Sequence, residues 1–253
     1  MSKIERVWVY TDAGLQERIT VVRFDVRQRI EHLLVTLCTA ILALTGLPQK
    51  FHDETWARWL ISTMGGIEVT RTFHRNFAII LTVVAVYHVL NVVYQIFSRR
   101  ARLTMMPTAK DVSDAFVMLR YFMGRSKEKP QFDRYSFGEK FEYWALVWGL
   151  VIMGITGFIV WFPTKVTIYF SGEIVPAAKM AHGWEALLAV LALITWHSWN
   201  VHLRKFDTSI FTGRLSKMEM MEEHPLEYAR IMAEETELAV IRPDVGDDTS
   251  GGS

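Results

Sequence analysis

The sequence predicts an all-α fold: an integral membrane four-helix bundle accompanied by short peripheral amphipathic helices. Hydrophobic residues make up 51% of the 253 positions, and they gather in four blocks instead of recurring at a helical or strand period. Each block, at 30–48, 73–97, 142–162 and 182–203, is close to the roughly 20 residues a helix needs to cross a hydrocarbon core of about 30 Å. Four such blocks in one chain of this length would leave a water-soluble fold too little polar surface.

The stretch ahead of the first block, MSKIERVWVYTDAGLQERITVVRFDVRQR, carries charges of both signs and no apolar run. It is expected to remain as a peripheral cytoplasmic arm over 1–29, not to act as a secretory signal. The first block, IEHLLVTLCTAILALTGLP, is the shortest and holds Cys38, the single cysteine. One cysteine excludes a disulfide framework, a zinc box and a C-x-x-C-H attachment site. With their flanks, the second block reads TRTFHRNFAIILTVVAVYHVLNVVY and the fourth AHGWEALLAVLALITWHSWNVHLRK; the third is EYWALVWGLVIMGITGFIVWF. In the connection at 98–141, TAKDVSDAFVMLRYFMG spaces its apolar residues as a short amphipathic helix on the cytoplasmic membrane surface. Beyond the fourth block, HPLEYARIMAEETELAV is expected to form another polar-faced helix, and the closing GDDTSGGS to be disordered. The transmembrane domain is placed at 30–206 and a cytoplasmic tail at 207–253; no solenoid-type repeat is present, although the second and fourth blocks are alike in design.

Loop charge sets the orientation. Lys3, Arg6, Arg18, Arg23, Arg27 and Arg29 precede the first block, and ten basic residues from Arg99 to Lys140 separate the second from the third. The other two connections hold only Lys50, Arg58 and Arg71, and Lys165 and Lys179. The positive-inside rule then puts both termini of this multi-pass chain in the cytoplasm; the membrane is expected to be an inner membrane of the bacterial or archaeal type. The net charge of +1 gives no basis for a nucleic-acid partner. In this topology the second and fourth helices run parallel, from the outer side inward.

Six of the eight histidines lie in or at the ends of the blocks: His32, His74, His88, His182, His197 and His202. Ionisable groups within a membrane are costly and mark function. His74 and His88 are 14 residues apart, and His182 and His197 are 15 apart. On α-helices these spacings are rises of about 21 Å with net rotations of only about 40° and 60°. Two parallel helices therefore present imidazoles at two matched depths. A haem iron takes axial donors on opposite porphyrin faces, and facing helices supply them. With no attachment cysteines, the group would be haem b, held without covalent bonds. Gly149, Gly154, Gly157 and Gly183 would allow close approach of helices or macrocycle, or serve ordinary small-residue helix packing. Arg71 and Arg75 at the outer level are candidates to neutralise propionates, as are Arg204 and Lys205 at the inner, where interfacial anchoring explains them almost as well.

These residues resemble the membrane cytochrome b superfamily. The second and fourth blocks are similar to the haem-bearing helices of the cytochrome b subunits of quinol-oxidising bc and bf complexes, and that resemblance implies ligand pairs His74 with His182 and His88 with His197. The first block, with VRFDVRQRIEHLLVTLCTAILALTGLP, instead looks like the four-helix cytochrome b anchors of formate dehydrogenases, nickel-iron hydrogenases and thiosulfate reductases. There the resemblance implies that His32 ligates the cytoplasmic-side haem together with His197. The likeness covers roughly 22–206. His32 and His88 thus compete for one place. Counted inward from the flanking basic residues, His88 and His197 lie about 10–16 Å deep and His32 and His202 about 3–5 Å, which favours His88. Two haems are expected; a third, clamped by His32 and His202, is the alternative.

The function these features imply is that of a b-type cytochrome subunit in a membrane redox complex, a non-autonomous part of a quinone-linked oxidoreductase of the respiratory type. It would carry electrons between a quinone or menaquinone pool and an outer-face partner, either a multihaem cytochrome or an iron–sulfur or catalytic subunit. A quinone headgroup would dock near the inner haem, against Asn200, His202, Lys205 or His32. A proton-coupled transporter is the first alternative, weakened by the scarcity of Asp and Glu inside the blocks, with Glu185 the main exception. A haem-free structural anchor is the second, and it leaves the matched histidines unexplained.

Overall fold

The computed structural model describes residues 4–11, 14–99, 103–204 and 206–241; Lys3, Lys205 and the tail at 246–253 lie outside the described residues. The chain divides into two units, one of 26–103 with 141–210, the other of 1–25, 104–140 and 211–253.

The first unit holds the membrane spans. Among the described residues four helices are long and apolar enough to cross a bilayer: α1 (Val26–Lys50), α3 (Ile67–Arg99), α5 (Phe137–Trp161) and α7 (Ile174–Ala192), the last continuing to Leu203. Only 17%, 11%, 0% and 6% of the residues in their most apolar windows are buried by the protein itself, so most of this surface is left for lipid or a bound group. Threonines inside the spans satisfy their hydroxyls on their own helices: Thr45 donates to Ile41 O, Thr82 to Ala78 O, Thr156 to Ile152 O and Thr195 to Leu191 O. A short helix, α2 (Thr55–Thr63), connects α1 to α3; Gly65 and Gly66, at φ 94° and 96°, make the left-handed turn between α2 and α3. α1 packs against α3 and α7.

The fourth span changes its winding. After Ala192 it forms two π-helical turns, Leu193–His197 and Trp199–Leu203, closed by Ser198 N–H to Leu193 O and Arg204 N–H to Trp199 O. A π turn brings residues five apart onto one face, where an α-helix would separate them by about 140°. His197 and His202 accordingly share a face, with ring centroids 6.5 Å apart.

The second unit contains the structure's strands. The charged arm forms a hairpin of β1 (Ile4–Thr11) and β2 (Gly14–Val22), in antiparallel register from Ile4 opposite Val21 to Thr11 opposite Gly14. A third strand, β3 (Arg214–Ser216), pairs with the end of β2. Helices α4 (Ala109–Phe122), α9 (Lys217–Glu223) and α10 (Pro225–Ile241) belong to the same unit. The capping box of Thr108 and Asp111 starts α4, and that of Ser216 and Glu219 starts α9. Two single-turn helices, α6 (Pro163–Val166) and α8 (Ser209–Thr212), complete the order. Val21, Leu215, Met220 and Ile231 form a small apolar core against Ile4 and Tyr228. Beside it Glu227, only 1% exposed, accepts from Arg23 at 3.0 Å and Arg134 at 2.9 Å, while Arg23 also reaches Glu139 at 3.0 Å.

Candidate metal centre

Two pairs of histidines face each other within the span unit. His74 on α3 and His182 on α7 have ring centroids 6.3 Å apart and planes crossed at 75°. His32 on α1 and His197, the last residue of the first π turn, are also 6.3 Å apart, with planes at 30°. Imidazole nitrogens each about 2 Å from a shared metal put ring centroids about 6 Å apart, once a ring radius is added on either side. Both pairs have that separation.

The other nitrogen of each ring decides which edge is available. Thr45 Oγ1 spends its proton on Ile41 O at 2.7 Å, so it accepts from His74 Nδ1–H at 2.9 Å. Thr156 does the same on α5: its proton goes to Ile152 O at 2.6 Å and it accepts from His182 Nδ1–H at 3.0 Å. Glu142 Oε2 accepts from His197 Nδ1–H at 3.2 Å, and Thr36 Oγ1 lies 3.5 Å from His32 Nδ1. In the rings of His74, His182 and His197 Nδ1 donates and Nε2 carries the free lone pair, the arrangement that orients metal-ligating imidazoles.

His88 is placed differently. Its Nδ1 lies 2.8 Å from Glu31 Oε2 and its Nε2 3.0 Å from Tyr143 Oη, so both nitrogens are hydrogen-bonded. Glu31 in turn accepts from Arg27 at 3.3 Å. The depth argument from the sequence paired His88 with His197; in the structure the ring opposed to His197 is that of His32. His202 is also close to His197, but it sits one π turn along the same helix and cannot take the opposite face of a macrocycle.

The basic and polar candidates divide further. Arg71 is paired with Glu68 at 2.9 Å, and the Arg75 guanidinium lies 5.4 Å from the centre of the Trp161 ring. Asn200 Nδ2 donates to Trp196 O, and the His202 ring also touches Phe206. Arg204 is exposed at the end of the second π turn. Sequence reasoning did not single out Thr45, Thr156, Gly46 or Glu142, although the dipeptide Thr-Gly recurs at 45–46 and 156–157.

Among the described residues no group of three or more His, Cys, Asp or Glu side chains is placed to hold a bare metal ion. Two facing imidazoles would suit a haem, whose macrocycle would supply the remaining donors to the metal. Four apolar spans around such pairs define a membrane cytochrome of the b type. The chain belongs to the prokaryotic cytochrome b561 family, whose profile matches residues 23–203. It is 21% identical over 211 residues to the cytochrome b556(Fdn) subunit of the nitrate-inducible formate dehydrogenase of Escherichia coli K12, covering 83% of this chain and 91% of that one. It is 22% identical over 217 residues to the cytochrome b556(fdo) subunit of formate dehydrogenase from the same strain, covering 86% of this chain and 96% of the relative.

Proposed function

We propose that the chain is the quinone-linked cytochrome subunit of a membrane oxidoreductase complex and binds two haems b, an outer one between His74 and His182 and an inner one between His32 and His197. The observation that carries this reading is the pair of opposed imidazoles repeated at one separation, 6.3 Å, with Nδ1 donating in His74, His182 and His197. When bound, the haem irons alternate between ferric and ferrous and pass single electrons. The protein's part is to hold His74, His182 and His197 in one tautomer and to keep water from all four imidazoles with the apolar spans. His88 is a bridge in this reading: it joins Glu31 on α1 to Tyr143 on α5 and ligates nothing.

His202, next to the inner pair, and Asn200 supply hydrogen-bonding groups for a quinone or menaquinone headgroup, with Arg204 adding positive charge at the cytoplasmic surface. The relatives named as formate dehydrogenase subunits support a catalytic partner subunit, which the outer pair would serve from the far side of the inner membrane. Loop charge supports that orientation. The spans, 30–206, form the haem domain, and the segments at 1–29 and 207–253 its cytoplasmic arm and tail.

A reduced-minus-oxidised spectrum with an iron count per polypeptide tests the reading. It predicts a b-type band and two haems. Three haems would require His32 and His202 to act as a further pair; no b-type band would favour the transporter or the haem-free anchor. His202→Ala is expected to keep both haems and slow their reduction by a quinol at least tenfold in stopped-flow measurements; unchanged kinetics would remove His202 from the quinone site.

A further inference from the structure

Thr45–Gly46 on α1 and Thr156–Gly157 on α5 stand in the same relation to the two histidines of the first pair. Each threonine accepts the Nδ1 proton of one ring, at 2.9 and 3.0 Å. Each following glycine lies under the edge of that ring. A Cβ at 46 would come within 2.9 Å of His74 Cε1, and a Cβ at 157 within 3.2 Å of His182 Cε1. The first distance is one that real side chains do not tolerate, and the second requires the ring to give way.

The likeness extends along both helix pairs. Glu31 precedes Thr45 by 14 residues, and Glu142 precedes Thr156 by 14. Glu31 bonds His88 on α3, and Glu142 bonds His197 on the fourth span. The 14-residue step from His74 to His88 becomes 15 from His182 to His197, where the π turn takes up the extra residue. The first and second helix pairs therefore carry one contact pattern twice, and the Thr-Gly step is part of it.

We propose that these two steps are the seats of the outer haem's axial ligands. Each hydroxyl fixes Nε2 as the metal-facing nitrogen, each glycine lets the ring close on the helix backbone, and together they hold the imidazole planes crossed at 75°. The proposal rests on the two-haem reading and adds what sets the outer haem apart from the inner. Crossed ligand planes leave the two iron orbitals that π-bond to them nearly equal in energy, so the ferric outer haem has an electron paramagnetic resonance signal dominated by one very large g value. The inner pair, at 30°, lifts that equality and gives an ordinary rhombic spectrum. Accepting the Nδ1 proton also makes the imidazole a stronger donor, which favours ferric iron and lowers the outer potential.

The test combines haem content, redox titration and low-temperature spectra of the purified full-length protein. Wild type is expected to show one large-g and one rhombic signal. Thr45→Val and Thr156→Val should retain two haems, shift the outer potential upward by up to about tenfold in the ferrous-to-ferric ratio at fixed electrode potential, and move the large-g signal. Thr45→Ser and Thr156→Ser should return both properties to wild type. Gly46→Ala should disturb the large-g signal more than Gly157→Ala. Valine variants with unchanged potential and unchanged signal would overturn the proposal. Should a valine variant lose the outer haem, serine decides: recovery supports the hydroxyl's role, and failure to recover overturns it. Failure of the underlying two-haem reading is separately visible, because His74→Ala and His182→Ala would then leave haem content and the large-g signal untouched.

Discussion

At the scale of the residue, the ligand assignment turns on hydrogen bonds that the order of amino acids does not display. Spacing along the helices makes His74, His88, His182 and His197 equivalent, and depth then prefers His88 over His32. The three-dimensional arrangement gives His88 to Glu31 and Tyr143 and sets His32 against His197. Replacing His32 by alanine is expected to remove the inner haem and leave the outer one, halving haem b per chain in a pyridine haemochrome assay. His88→Gln should keep both haems, and a variant with one haem would return His88 to the ligand set. His74, His182 and His197 were legible as candidates because a matched depth is a periodicity. Thr45, Thr156 and Glu142 were not, because nothing in a threonine or glutamate marks it as the hydrogen-bond partner of a histidine on another helix.

The elements were read with uneven success, for physical reasons. Membrane helices announce themselves through length and apolar composition, and α1, α3, α5 and the fourth span contain the four blocks at 30–48, 73–97, 142–162 and 182–203, all but Phe162. The hairpin of β1 and β2 sits in a segment dense with charge, and its third strand is three residues long and about 190 positions away, so nothing local signals the sheet. The π turns escaped notice because a one-residue change of winding leaves composition untouched. The buried ion network was equally invisible, since Arg23, Arg134 and Glu227 meet only after folding. Glu227→Ala would leave Arg23, whose side chain is 2% exposed, with Glu139 but without the buried one of its two counter-charges, each 3.0 Å away. Removing one partner of a buried pair costs roughly 3–5 kcal/mol. Urea unfolding followed at the arm and tail should show a loss of that order, and a change below about 1 kcal/mol would mark the network as energetically idle.

At the scale of the molecule, the two units respond to different conditions. In the unit that holds the strands His224 donates from Nδ1 to Asp133 O at 2.8 Å and is held below the ordinary histidine value, by burial first and by the Arg23 guanidinium second; Glu139 and Glu227 pull the other way and lose. A histidine kept neutral by folding contributes fully above about pH 6.5, and that contribution is lost as pH falls and the ring must charge. Thermal unfolding of this unit should shift to lower temperature between about pH 7.5 and 5. His224→Gln should flatten the dependence, and an unchanged profile would show that other groups set it.

Across the spans, the repeated pattern of Glu, Thr-Gly and His over two helix pairs gives the molecule a twofold design that the pairing of His32 with His197 breaks on one side only. The central claim is that imidazoles from separate helices grip two haems at the heights of His74 with His182 and His32 with His197. A cryo-electron microscopy map of the purified protein in lipid nanodiscs tests it most directly. The account predicts two planar tetrapyrrole densities, each joined to both named side chains. A map without planar density between residues 74 and 182, or with His88 bound to iron in place of His32, would contradict it.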